Sequence, residues 1–314
     1  MAERDIDVVC REVGLRDGIQ SLKTFVPTEE KIRWIRDEVA AGVPNMQVCS
    51  FVPPKLLPQF SDAADVAAAA LELDGLWVSA LTPNLKGAEV ALKVGVHEID
   101  FMNSVSESHS LSNGRRSTDQ AFAEFERVRD LRDSQPEGRR FKLAAGFATS
   151  FGCSIEGYVP QDNVLKSVER FVKAGVDEVM IADTVGYGNP QDVKQLFSRI
   201  IAEFGDEVTV GAHFHDTRGL GLANVYAALE AGCRRYDASL AGLGGCPFAP
   251  NATGNIVMED LVFLLEGAGL NTGIDLEKLL PVREIIANNL PDEPLHGTYK
   301  KAGAPKGFPF VSAA

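Results

Sequence analysis

Cysteine is scarce in this chain. Five residues, Cys10, Cys49, Cys153, Cys233 and Cys246, lie far apart with no C-x-x-C pair, which excludes a disulfide-stapled mini-protein and fits reduced thiols. Long apolar runs are missing as well. The most apolar stretch, residues 63–73, is broken by Asp65 and Glu72 and falls short of the ~18 residues of a membrane span, so no membrane partner is expected. Positive charge is in deficit, 31 Lys and Arg against 44 Asp and Glu for a net charge of −13, and no dense basic block is present. General nucleic-acid binders neutralise phosphates with clustered cations, so no nucleic-acid partner is expected and an anionic ligand needs a local basic pocket. The opening residues, Met1 to Asp7, are acidic and have neither the apolar centre of a signal peptide nor the Arg-rich face of a transit peptide. The expected location is cytoplasmic.

What remains is the composition of an ordinary globular protein, 45% apolar and 24% charged over 314 residues, long enough for two average domains or one large α/β barrel. An internal repeat favours the barrel. A small residue and a glycine precede an apolar run at Ala41-Gly42-Val43, Val94-Gly95-Val96, Ala174-Gly175-Val176 and Ala231-Gly232-Cys233. Each follows a helix-like stretch, where glycine supplies a left-handed cap. The steps are too long for one βα unit of ~30 residues and suit two. Strands then read at Ile6–Cys10, Met46–Phe51, Leu76–Leu81, Glu98–Met102, Lys142–Phe147, Glu178–Ile181, Val208–Phe214 and Tyr236–Leu240. They alternate with helical segments such as Glu29–Ala41, Gln120–Asp133, Gln161–Ala174, Pro190–Glu203 and Gly219–Ala231. The pattern predicts an α/β fold, a parallel (β/α)8 TIM barrel, with a doubly wound open sheet as competitor. Glu259–Gly267 and Leu276–Asn289 read as a short C-terminal helical extension, so that residues 1–290 form one catalytic domain and residues 291–314 a Gly- and Pro-rich tail.

In a barrel the chemistry sits at the C-terminal ends of the strands, and four such ends are rich in polar groups. After strand one comes Arg11 to Gln20, with Arg16 beside Asp17; in isolation such a dipeptide also reads as a surface ion pair. At strand seven, His213 and His215 share one face by the two-residue period, which suits a metal, with polar filler as the weaker alternative. Asp17 is the carboxylate placed to join them, because only one strand separates ends one and seven around a ring of eight. After strand eight, Gly242, Gly244 and Gly245 present Cys246 on a loop; a phosphate cradle is conceivable, but the P-loop Lys-Ser/Thr is absent, and a lone loop cysteine can be incidental. At strand six, Asp183 faces the mouth or serves the turn before Gly186.

Together these motifs resemble the 3-hydroxy-3-methylglutaryl-CoA lyase family, within the metal-dependent barrel enzymes that make or break C–C bonds beside a thioester or carboxylate. The resemblance runs from about Asp7 to Leu280 and is strongest in EVGLRDGIQ (12–20), SFVPPKLLPQF (50–60), LTPNLKG (81–87), ADTVG (182–186), HFHDTRGLGLANVYAAL (213–229) and AGLGGCPFAPNATGNIVMEDLVFLLEG (241–267). It implies that Asp17, His213, His215 and Asn255 hold Mg2+ or Mn2+, that Arg16 stabilises a developing enolate oxygen, that Cys246 rides a closing loop, and that Asp183 orients substrate or a histidine. The reaction implied is retro-Claisen cleavage of an acyl-CoA to acetyl-CoA and a keto product. A homo-oligomer is expected.

One position departs from the family. Where its lyases carry a catalytic glutamate, this chain has Gln47, in Met46-Gln47-Val48-Cys49-Ser50-Phe51; an amide keeps the size but takes no proton at neutral pH. A related substrate such as citramalyl-CoA, or a barrel that binds an acyl-CoA or dicarboxylate without turnover, are the alternatives this raises; a condensing synthase is disfavoured by the short C-terminal stretch. For the phosphates of CoA, Lys23 on the mouth side and Lys300, Lys301 and Lys306 in the tail are the candidate cations.

Overall fold

Eight parallel strands close on themselves in sequence order in this computed structural model, which describes residues 6–245, 254–308 and 310–311. The strands are β1 Val9–Glu12, β2 Asn45–Ser50, β3 Trp77–Thr82, β4 Glu98–Ser104, β5 Lys142–Ala148, β6 Glu178–Asp183, β7 Thr209–Phe214 and β8 Arg235–Ala238. The helices are α1 Thr28–Ala40, α2 Ala63–Leu71, α3 Leu85–Val94, the single turn α4 Glu107–His109, α5 Thr118–Asp133, α6 Gln161–Lys173, α7 Pro190–Phe204, α8 Gly221–Glu230, α9 Met258–Gly267, α10 Leu276–Asn289 and the short α11 Tyr299–Ala302. Pairing of β1 with both β2 and β8 closes the ring, which selects the TIM barrel over the open sheet.

The local causes are those of the pattern. Helix α7 buries Val193, Leu196, Phe197, Ile200 and Phe204, the stripe of a helix with one face on a sheet, while β2 and β6 are buried at every residue, as strands covered on both faces must be. The four repeat glycines, Gly42, Gly95, Gly175 and Gly232, all have positive φ, between 85° and 103°, so each helix-to-strand junction uses the conformation that glycine adopts at least cost.

Every strand differs from its sequence-predicted range by one to three residues at one end or both, and two of these shifts bear on the site. β1 starts at Val9 and runs to Glu12, placing Arg11 and Glu12 inside the strand, because at Asp7 the backbone N–H donates to Asn271 O instead of to a strand neighbour. β8 ends at Ala238 rather than Leu240, since Ser239 N–H turns to Ile256 O and Leu240 N–H to the Glu12 carboxylate. The C-terminal stretch lies along α9: Thr298 and Tyr299 N–H groups donate to Asp260, and the Tyr299 and Phe308 rings sit 5.1 and 4.8 Å from Phe263.

Within the barrel, below the mouth, lies a buried network of charge. Arg11 reaches Asp237 Oδ1 (2.7 Å), Asp100 Oδ1 (2.8 Å) and Glu98 Oε1 (3.0 Å), and Arg235 reaches Glu178 Oε1 (2.6 Å) and Glu98 Oε1 (3.3 Å). Burial, with Glu98 nearby, pushes the Glu178 carboxyl up to about 8.

Candidate active site

The site is assembled by a wide helical turn, Gly14–Gly18, that follows β1 directly. Three successive N–H groups, of Arg16, Asp17 and Gly18, converge on Val13 O, and Gly14 permits the turn because a Cβ there would lie 2.5 Å from Glu12 Oε1 and 2.8 Å from the Trp34 ring. The turn directs Arg16 and Asp17 into the barrel mouth, where Arg16 is buried and Asp17 partly so. Arg16 donates from Nη1 to Asp17 Oδ1 and from Nε to Gln47 Oε1. Gln47 stands in the middle of β2 rather than at its end, where the strand register shifts against β3.

Across the mouth, His213 and His215 project from β7 on one face, as their spacing predicts, with their Nε2 atoms 3.1 Å apart. Asp17 Oδ2 lies 3.5 Å from His215 Nε2 and 3.9 Å from His213 Nε2. One ligand atom from each of the three falls within 4.8 Å of the others. Asn255 joins them, bridged to His215 through the backbone and donating from Nδ2 to Asp17 Oδ2 at 2.9 Å. Burial acts to raise the Asp17 carboxyl, but Arg16, ahead of the two histidines, holds it well below the usual carboxylate range.

This donor set fits a divalent cation. Two imidazole nitrogens and an anionic oxygen point at one another, a combination suited to borderline metals with oxygen-bearing substrates. The buried Oδ1 of Asn255 has no hydrogen-bond partner among the described residues. Exchanging the two ends of that amide would turn this oxygen toward Asp17, giving up the bonds that Nδ2 makes to Asp17 Oδ2 and to Leu243 O at 3.2 Å.

The other sequence-singled residues are placed differently. Asp183 does not reach a histidine by hydrogen bond; its carboxylate accepts the N–H groups of Tyr187 (2.8 Å) and Gly188 (2.9 Å) and so ties its own turn. Lys23, Lys300, Lys301 and Lys306 are exposed, and none is brought into the Asp17 cluster; Lys306 precedes Phe308, which packs at Gly267, the far end of α9. Cys246 lies outside the described residues. The glycine flanks of its loop are pinched together, since a Cβ on Gly254 would meet Gly242 O at 2.2 Å and Gly244 O at 2.7 Å. Two carboxylates that the sequence reading gave no role grip the start of this loop: Glu12 accepts Leu240 N–H at 2.9 Å and Glu259 accepts Ala241 N–H at 3.1 Å. Glu12 stood within the EVGLRDG motif, but nothing in one sequence tells a loop-holding carboxylate from a solvated one.

The HMGL-like family matches residues 8–286. The chain is 37% identical over 283 residues to a hydroxymethylglutaryl-CoA lyase of Bacillus subtilis, covering 90% of this chain and 93% of that one. It is 36% identical over 302 residues to the (R)-citramalyl-CoA lyase of Chloroflexus aurantiacus, covering 93% of each. Among solved structures, an HMG-CoA lyase from Acinetobacter baumannii in complex with coenzyme A and 3-methylmalate superposes with a TM-score of 0.88 at 37% identity, covering 98% of each chain. With a family match over most of its length and relatives of this identity spanning nine-tenths of it, the chain belongs to the HMGL-like family and is a carbon–carbon lyase.

Proposed function

We propose that this protein is a divalent-metal-dependent acyl-CoA lyase that splits 3-hydroxy-3-methylglutaryl-CoA, or a related branched 3-hydroxyacyl-CoA, into acetyl-CoA and a keto acid by retro-Claisen cleavage. The observation that carries this reading is the convergence of Asp17, His213 and His215 beside the Arg16 guanidinium at the barrel mouth. Asp17, His213, His215 and Asn255 are the residues that would hold Mg2+ or Mn2+, and such an ion supplies Lewis-acid polarisation of substrate oxygens. Arg16 spends Nε and Nη1 on Gln47 and Asp17 and keeps Nη2 for the oxygen on which enolate charge develops. Asp183 ties the turn at the mouth and from there orients substrate or a histidine. Cys246, on the glycine loop held by Glu12 and Glu259, serves in the closed complex as the proton-handling group. Lys23, Lys300, Lys301 and Lys306 are assigned to the CoA phosphates, the first from the loop after the Arg16 turn and the others from the C-terminal stretch. Among the described residues four cysteines are free and buried, which supports a reducing, cytoplasmic setting, and we assign a homo-oligomeric state.

Gln47 sets the substrate. As a neutral amide it leaves Arg16 balanced by Asp17 alone and takes no proton from a substrate hydroxyl, so residue 47 is not the general base. The purified protein, given a panel of 3-hydroxyacyl-CoA esters, is expected to release acetyl-CoA slowly from hydroxymethylglutaryl-CoA and faster from another branched ester such as citramalyl-CoA. Gln47→Glu should raise the hydroxymethylglutaryl-CoA rate within the ~10²–10⁴-fold range of general-base contributions. Efficient cleavage of that ester by the unmodified protein, unchanged in Gln47→Glu, would show that residue 47 does not choose the substrate. No acetyl-CoA from any ester would return the chain to a binding role.

A further inference from the structure

We infer that Asp237 is a positioning residue for the metal centre: clamped by Arg11, it fixes His213 as the tautomer protonated on Nδ1 and leaves the Nε2 lone pair free for a divalent cation. The inference rests on the reading of Asp17, His213 and His215 as a metal site. Asp237 lies on β8, in register with His213 on β7, and its Oδ2 is 3.0 Å from His213 Nδ1. The carboxylate is 2% exposed. From its other side Arg11 donates to both oxygens, Nε to Oδ1 at 2.7 Å and Nη2 to Oδ2 at 3.0 Å. With both oxygens accepting from a guanidinium, the carboxylate carries no proton, and the hydrogen shared with His213 belongs to the imidazole.

Arg11 cannot swing away, because its Nη1 is held by Glu98 Oε1 at 3.0 Å and Asp100 Oδ1 at 2.8 Å. The orientation of His213 is therefore set by side chains from β1, β4 and β8 acting together, none of which touches the ligand cluster except through His213. A carboxylate on the distal nitrogen of a ligating histidine is a recurrent way to fix its tautomer, and loss of such a partner typically weakens metal binding by ~10–100-fold. An amide at position 237 has one donor end and one acceptor end. Facing Arg11 with the donor it meets like donors; facing His213 with the donor it forces the proton onto Nε2, the wrong nitrogen for a ligand.

The test has two readouts besides activity. Long-range 1H–15N correlation on 15N-histidine protein, with the His213 signals assigned by their loss in His213→Gln, should show Nδ1–H in the parent and Nε2–H in Asp237→Asn. Titration with Mn2+ alone, followed by electron paramagnetic resonance, should show a ~10–100-fold weaker dissociation constant for Asp237→Asn. A His213 protonated on Nε2 in the parent overturns the inference, as does a folded Asp237→Asn that binds Mn2+ within twofold of the parent. Failure of the parent itself to bind Mn2+ overturns the metal reading and this inference with it. Where Asp237→Asn does not fold, Arg11→Lys keeps the charge but loses the fork, and Mn2+ binding should weaken at least about threefold in keeping with a loosened outer shell; unchanged binding there overturns the role.

Discussion

The floor and the mouth of this barrel hold ionisable side chains under opposite rules. On the floor, Arg11 and Arg235 spend their donors on Glu98, Asp100, Glu178 and Asp237, so charges taken out of water are answered by charges within hydrogen-bond reach. At the mouth, two histidine nitrogens and the Asp17 carboxylate converge within 4.8 Å of one another, with the Arg16 guanidinium paired to Asp17 at the edge. A protein interior tolerates the first arrangement because pairing offsets desolvation. The second gathers groups that can each offer a lone pair toward one point, the arrangement proposed above as a metal site. The pairing pattern, more than the number of charges, separates the two regions, and His213, bonded to Asp237, joins them.

The largest expected effect breaks the mouth. Asp17→Asn removes the anionic member of the proposed metal-binding set, and it should weaken Mn2+ binding by more than the ~10–100-fold typical of an outer-shell partner and take acetyl-CoA release below detection. Isothermal titration with Mn2+ and mass detection of acetyl-CoA measure the two, and full activity of the parent in excess EDTA would refute the metal centre. Breaking the floor should cost stability instead. Arg11→Met strands Asp237 and Asp100 and leaves Glu98 to Arg235 alone, and loss of one partner of a buried pair costs about 3–5 kcal/mol; urea unfolding reads it, and a loss under 1 kcal/mol would mean water already screens the network.

The smallest effect tests a carboxylate that belongs to neither group. Glu38 accepts from Trp34 Nε1 at 2.9 Å, while its Oε2 has no partner among the described residues. Burial pushes its carboxyl from 4.5 up to about 8, with Glu259 adding to the shift. The folded state thus holds a proton that the unfolded chain has released, so stability present below pH 4.5 is lost progressively as pH rises toward 8, and Glu178 acts in the same sense. The melting temperature should fall between pH 5 and pH 8.5. Glu38→Gln, which has no proton to lose, should flatten that fall by roughly a few degrees; an unchanged slope would place the linked proton on another group.

Much of the fold was legible because its signals are local. Helix α10 begins and ends where the periodicity places it, Leu276–Asn289, and the glycine junctions at 42, 95, 175 and 232 needed only the rule that few other residues take positive φ cheaply. Strand ends were less legible. β8 stops at Ala238 because Leu240 N–H finds a carboxylate 228 positions away on Glu12, and no window of sequence contains that acceptor. Asp183 shows the same limit from the other side: its residue type suited a mouth-facing acid and a turn-former alike, and the bonds it accepts from the Tyr187 and Gly188 N–H groups come only with the folded turn.

The sequence by itself determined the alternation of strands and helices, the shared face of His213 and His215, and the motifs that mark the family, since each depends on the period of a strand or helix or on neighbouring residue types. The tertiary structure alone decided that Arg11, an unremarked residue in β1, meets Glu98, Asp100 and Asp237, and that Asp237 in turn holds His213. Parallel strands leave their neighbours' register to the packing of whole βα units around the ring, so which side chains share a level inside the barrel is settled only when β8 closes onto β1.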